Sequence, residues 1–145
     1  MNILVDADAC PVKGIIVKIA KQYRLPVTMV IDTSHELDDG YSTVIVVDKA
    51  RDSADIALIN LVRAGDIVVT QDYGVAALAL GKKARAVNQN GLIYSDGNID
   101  KLLFERHLGQ KVRRAGGRTS NPRKRTPEDD MNFEKAFQRM IETER

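Results

Sequence analysis

Residues 3–11 read Ile3-Leu4-Val5-Asp6-Ala7-Asp8-Ala9-Cys10-Pro11, an apolar run that exits into two carboxylates. A helix opens directly behind them. Val12, Ile15, Ile16, Ile19, Ala20 and Tyr23 recur at i, i+3, i+4 and i+7, while Lys13, Lys18 and Lys21 fall elsewhere. Pro11 suits the first turn of that helix, where a missing N–H costs nothing. Holding two carboxylates at the exit of a buried strand is unfavourable. Unit charges about 4 Å apart repel by about 4 kcal/mol at an effective dielectric of 20. The pair therefore asks for a cation, and other parts of the chain must be searched for acids that reach the same spot.

Outward from this stretch, short β-branched runs alternate with helical patterns. Val27–Ile31 and Val44–Val47 read as strands, the second a continuous apolar run suited to a buried parallel position. Ser53 to Ala64 reads as a helix stopped by Gly65. Ile67–Thr70 is the next strand, Val75–Leu80 a small apolar helix ended by Gly81, and Ala84–Val87 a final strand. This alternation predicts an α/β fold, a parallel sheet covered on both faces, over residues 1–110. Ile99 to Leu108 is expected to be helical, with Asn98 a candidate cap. A basic, loop-rich segment follows over 111–130, where Gly, Ser, Thr and Pro accumulate. Residues 131–145 carry Phe133, Phe137, Met140 and Ile141 on one face of a last helix, which is expected to dock on the body or on a second copy in a homodimer.

At 145 residues the chain is read as one domain with a single core. No apolar run approaches the roughly 20 residues needed to span a bilayer. Met1-Asn2 leads straight into a strand without a signal peptide, and the lone Cys10 fits a reducing compartment, so a cytoplasmic location is expected. With one cysteine and two histidines, His35 and His107, oxygen ligands would have to hold any metal. The net charge of +2 hides an asymmetry. Residues 1–100 hold 10 Lys and Arg against 13 Asp and Glu; residues 101–145 hold 12 against 7. An acidic body with a basic tail suits a polyanionic substrate; a solvated, soluble extension is the plainer reading.

The strand ends collect the acids. Asp6 and Asp8 follow the first strand, Asp32 the second, Asp48 the third and Asp72 the fourth. In a parallel sheet these ends share one rim, where open α/β sheets bind ligands. Asp52 and Asp55 open the second helix three residues apart, on one face. Asp32, Asp48 and Asp52 are individually ordinary for turns and caps, Asp66 is a turn residue, and Asp8 is either a helix cap or a site residue. Asp6 and Asp72 resist that explanation, because each ends a run expected to be buried. Asp55 comes next. A set of Asp6, Asp72 and Asp52 or Asp55 would suit Mg²⁺ or Mn²⁺, with Thr70 steadying it from behind.

The run Val5-Asp6-Ala7-Asp8-Ala9-Cys10-Pro11-Val12-Lys13 resembles the opening of the YaiI/YqxD family of small bacterial proteins (UPF0178, DUF188-type). The resemblance continues through Asp52-Ser53-Ala54-Asp55, Gly65-Asp66-Ile67-Val68-Val69-Thr70-Gln71-Asp72, Asn98-Ile99, and Arg113-Arg114 with Gly116-Gly117. That family is grouped with the PIN-like nucleases, which implies a three-layer α/β/α sandwich with a central parallel sheet. It also implies acids at positions that look like Asp6, Asp52 or Asp55, and the Asp72 of Thr70-Gln71-Asp72. Many PIN domains carry a fourth acid after the next strand; here Val87-Asn88-Gln89-Asn90 offers amides.

Three activities follow as expectations. The first is a Mg²⁺- or Mn²⁺-dependent nuclease acting on RNA or on structured nucleic acid. Asp6, Asp55 and Asp72 hold the metal and do the catalytic work, Asp8, Asp52 and Thr70 assist, and Arg113, Arg114, Arg118, Arg123, Lys124 and Arg125 contact phosphates. The second is a non-catalytic nucleic-acid-binding or regulatory module on the same scaffold, motivated by the missing acid. The third and weakest is phosphatase chemistry, in which Asp6 of an Asp-x-Asp pair is a nucleophile. Cys10 is read as packed, His35 as a surface residue of a polar loop, Gly116-Gly117 as ordinary loop glycines, and Lys13 as either neutralising the Asp6–Asp8 pair or solvated.

Overall fold

The computed structural model describes residues 1–32, 37–48, 53–116 and 123–143. Its strands are β1 (Ile3–Asp6), β2 (Val27–Asp32), β3 (Thr43–Val47), β4 (Ile67–Val69), β5 (Arg85–Val87) and β6 (Ile93–Tyr94). The helices are α1 (Lys13–Tyr23), α2 (Ala54–Leu61), α3 (Tyr73–Gly81), α4 (Asp96–Arg114) and α5 (Pro127–Thr143). The strands form one sheet in the order β3-β2-β1-β4-β5-β6, parallel except for β6, which pairs antiparallel with β5.

Strand alternation sends side chains to two cores. Ile3, Val5, Met29, Ile31, Ile67 and Val69 pack beneath α1 and α5 with Ile16, Ile19, Phe133, Phe137 and Ile141. Leu4, Val30, Val68 and Ala86 face the other way, onto Leu58 of α2, Val75, Ala76 and Ala79 of α3, and Ile99 of α4. The result is a three-layer α/β/α sandwich. Phe133 and Phe137 stack with ring centroids 5.3 Å apart, fixing α5 against α1 and the sheet.

Four readings from sequence are corrected. Val44–Val47 belongs to an edge strand, with Val46 55% exposed, so its unbroken apolar run does not mark a central position. The chain has a strand after β5, because Asn88 Oδ1 accepts the backbone N–H groups of Asn90 and Leu92 and turns Ile93-Tyr94 back onto β5. Two residues are too few to show a period. The helix expected over 99–108 runs from Asp96 to Arg114. Its start is a capping box in which Ser95 is the cap and Asn98 answers from the third position, its Oδ1 accepting the Ser95 N–H at 2.9 Å. The α2 helix ends at Leu61, before Gly65.

Among the described residues, no helix is long and apolar enough to cross a membrane.

Candidate functional site

Strand order reverses direction between β1 and β4, since the chain leaves β1 toward β2 and β3 and returns on its other side at β4. Such a switch point opens a crevice beyond the carboxyl ends of the two strands, the usual ligand position in open α/β sheets. Asp6 ends β1, and Thr70, Gln71 and Asp72 leave β4. A cleft of ≈ 300 Å³ lies there, lined by Asp6, Asp8, Ala9, Gln71, Asp72, Tyr73 and Arg106.

Each acid is set by a local device. Thr70 is buried and links two of them: its Oγ1 donates to Asp6 Oδ2 at 3.1 Å and accepts the Asp72 N–H at 3.0 Å. The Tyr94 hydroxyl donates to the Thr70 carbonyl at 3.1 Å, so the short strand β6 buttresses the rim. Asp72 is the N-cap of α3, its Oδ1 accepting from Gly74 at 2.8 Å and Val75 at 3.1 Å. Asp8 does not cap α1, whose N-cap Val12 has no side-chain cap bond; its Oδ2 accepts the N–H of Asp32 at the end of β2 instead, at 3.2 Å. Between Asp8 and Cys10 the backbone passes through a left-handed conformation at Ala9 (φ 57°), unfavourable by about 1 kcal/mol for a residue with a Cβ. The Ala9 carbonyl accepts from Gln71 Nε2 at 3.2 Å, closing the rim from β1 to β4.

The electrostatics tie Asp55 to this group. Burial pushes the Asp6 carboxyl from 3.8 up to about 6; the Thr70 hydroxyl opposes this, and repulsion from Asp55, Asp72 and Asp8 adds to it. Asp55, in the first turn of α2, is also raised, by burial and then by Asp72, while Arg106 lowers it. Carboxyls displaced together by burial and by one another, at a cleft and beside it, make this rim the candidate site on physical grounds. Carboxylate oxygens backed by a hydroxyl are the hard donors that Mg²⁺ and Mn²⁺ accept, and the mutual repulsion is what a divalent ion would relieve. Among the described residues, no three His, Cys, Asp or Glu side chains are yet grouped closely enough to hold an ion. Asp52 lies outside the described residues, as do Arg118 and His35.

Two further clefts flank the rim. One of ≈ 330 Å³ shares Tyr73 and Arg106 with it and runs along α4 to Gly109 and Arg113. The other, of ≈ 320 Å³, shares Ala9 and Gln71 and is bordered by Asn90, Arg123, Arg125 and Asp129. The basic residues read from the sequence thus divide. Arg113 and Arg114 lie in the last turn of α4, Arg113 on a cleft wall and Arg114 exposed; Lys124 is exposed. Arg123 forms two bonds to Asp129, at 2.9 and 2.5 Å. Arg125 is held by Asp130, Asn90 and the Gln89 carbonyl. The Arg125 guanidinium docks the start of α5 on the β5–β6 turn, while the Arg123 bonds stay within the segment that leads into α5.

Arg106 is the rim residue the sequence reading missed, 3.7 Å from Asp72 Oδ1. Its signal was present: it continues the Ile99, Leu102, Leu103 stripe by helical spacing, as the next inward position of α4. Lys13 reaches the Ala7 carbonyl at 3.4 Å, beside the acids. Cys10 is buried and its thiol is pushed up by that burial, which leaves it a packing residue. Asp66 is a buried turn acid, accepting from the N–H groups of Asn2 and Arg63.

The model of the uncharacterised YaiI/YqxD family matches residues 4–143. A UPF0178 protein of Ruminiclostridium cellulolyticum is 73% identical over 144 residues, covering 99% of this chain and 94% of its own. UPF0178 proteins of Clostridium kluyveri and Exiguobacterium sibiricum are 56% and 46% identical, each over 97% of this chain and over 93% and 96% of their own. No solved structure matches the chain.

Proposed function

The chain belongs to the YaiI/YqxD family, and we propose that its acid rim is the centre of a divalent-metal-dependent nuclease acting on RNA. The observation that carries this reading is that Asp6, Asp8 and Asp72 line one switch-point crevice, with Asp55 near enough to add its repulsion to theirs on Asp6. Asp6, Asp55 and Asp72 would hold Mg²⁺ or Mn²⁺. Such an ion supplies Lewis-acid polarisation of a phosphoryl oxygen and a lowered pKa for a coordinated water. The chain's own residues do the positioning. Thr70 fixes the spacing between Asp6 and Asp72, Asp8 steadies the β2 end of the rim, and Arg113 faces a flanking cleft suited to a phosphodiester backbone.

The test is cleavage of a mixed-sequence RNA by purified protein in Mn²⁺, beside Asp72→Asn. Asn also caps helices well, so α3 is retained while the charge is lost. Cleavage by the wild type and none by the variant is the expected result; equal cleavage by both would place the activity elsewhere.

One observation favours a second reading, a nucleic-acid-binding module without catalysis. In the stretch after β5, which corresponds to the one where many PIN domains carry a fourth acid, Asn88 spends its Oδ1 on two backbone N–H groups of the β5–β6 turn. RNA binding with no cleavage in Mg²⁺ or Mn²⁺ would favour this reading.

A further inference from the structure

Arg106 lines both the acid cleft and the ≈ 330 Å³ cleft beside it. Its position follows from α4: Ile99, Leu102 and Leu103 pack on the α2/α3 face, and Arg106 continues that stripe beyond the point where the helix still covers apolar surface. The guanidinium sits 3.7 Å from Asp72 Oδ1 with its side chain 47% exposed. That separation is a loose ion pair rather than the paired, short hydrogen bonds of a guanidinium–carboxylate fork. Its charge also reaches Asp55, whose carboxyl it holds down against burial and Asp72. One cation therefore serves two of the acids while its other side faces a cleft that also holds Tyr73 and Arg113. Among the described residues, the loose pair with Asp72 is its one ion pair.

We propose that Arg106 is a tethered counter-ion of the acid rim, displaced from Asp72 by a divalent cation and thereby released to bind a substrate phosphate in the neighbouring cleft. The proposal rests on the metal-dependent reading above and adds the residue that couples metal binding to substrate binding. A guanidinium suits this exchange. It remains charged at any working pH, and its planar fork matches phosphate oxygens. The carboxylates lose a weak partner and gain a strong one, while the substrate gains a cation that was otherwise occupied.

The two roles give opposite signs on removing the charge, which a structural role would not. In the full-length chain, Mn²⁺ binding is measured by calorimetry, and binding of a 2′-O-methyl RNA oligonucleotide by fluorescence anisotropy with and without Mn²⁺. Arg106→Gln is expected to tighten Mn²⁺ binding by about two- to fivefold, the scale of one exposed ion pair. The same variant should weaken RNA binding in Mn²⁺ by about tenfold, the scale of a charge-assisted hydrogen bond, with a much smaller loss when Mn²⁺ is absent. Arg106→Lys should restore the wild-type Mn²⁺ affinity and recover RNA binding only in part. Unchanged or weaker Mn²⁺ binding by Arg106→Gln would overturn the counter-ion role, as would an RNA loss of equal size with and without the ion. Mn²⁺ binding absent from the wild type, or indifferent to Asp72→Asn, would overturn the metal reading itself and this inference with it.

Discussion

Replacing Asp6 by Asn should stabilise the metal-free protein at neutral pH, although the substitution removes a bond acceptor from the centre of the rim. The Asp6 carboxyl is raised from 3.8 to about 6 by burial and by Asp55, Asp72 and Asp8, so above pH 6 the fold carries a charge it does not favour. At about 1.4 kcal/mol for each pH unit between folded and unfolded pKa, the ceiling on this cost is about 3 kcal/mol. Asp6 is partly open to the cleft, and solvent screening reduces the expectation to about 1–2 kcal/mol. The sign follows from proton linkage. Between 3.8 and about 6 the folded state binds more protons than the unfolded one, so wild-type stability falls as pH rises through that window and stays lowered above it. The amide of Asn carries no charge at any of these pH values and can still accept from Thr70. Urea unfolding at pH 5 and pH 8 reads the difference directly. Asp6→Asn should be more stable than wild type at both, with roughly half the gain at pH 5. A variant less stable at pH 8, or a gain independent of pH, would show that the rim does not strain Asp6 in this way. Added Mn²⁺ should narrow the gap, because the ion stabilises only the carboxylate.

The hairpin and the tail can be tested apart from the site. Gly91 has φ 88°, and a Cβ there would lie 2.6 Å from the Asn132 carbonyl oxygen of α5, so Gly91→Ala should cost about 2–4 kcal/mol in urea unfolding. Gly65 has φ 87° with open space around it, so Gly65→Ala should cost only about 1 kcal/mol; equal losses would argue against α5 resting on that turn. Asp129 is held at about 2 by the bonds from Arg123 and the Thr126 N–H, so its contribution is present above about pH 4 and fades as pH falls toward 2. Asp129→Asn should lower the melting temperature at pH 7, and the difference from wild type should shrink in melts taken between pH 4 and pH 2; a constant difference would count against the ion pair. Phe137→Ala should cost about 3–5 kcal/mol by emptying the α1–α5 core, read as a lower urea midpoint, and a cost under 1 kcal/mol would mean that α5 is not docked.

The parallel sheet was legible because short apolar runs such as Ile67–Val69 alternate with helical patterns, and strands in that order need cover on both faces. The same logic misplaced Val44–Val47, since an edge strand beside a helix layer can be just as apolar as a central one. Strand β6 escaped because two residues carry no period, and α4 was cut short because Gly109 and its run of charged residues look like a loop while packing supports only its first half. At the rim, Asp6 and Asp72 were legible from their places at strand ends, which the sheet brings together whatever the side-chain details. The bond through Thr70 was foreseen only as a supporting role, and the choice of Asp32 as the partner of Asp8 was not foreseen at all. Both depend on which strands are neighbours, and β1 lies between β2 and β4 only once the order is known.

Asp72 shows why a helix cap and a site residue are not competing explanations. Its Oδ1 takes the N–H groups of Gly74 and Val75, and the same atom is nearest to Arg106. A cap fixes the carboxylate at one rotamer and lets the positive end of α3 stabilise its charge beside three other acids. Asp6 has the Thr70 hydroxyl to set against burial and repulsion, and its carboxyl rises. The rim therefore pairs one anchored carboxylate with one strained one. On the metal-dependent reading proposed above, an ion entering the crevice would find Asp72 already in place and would gain most from relieving Asp6, so its affinity would arise from the sheet topology and a helix start together, with neither sufficient alone.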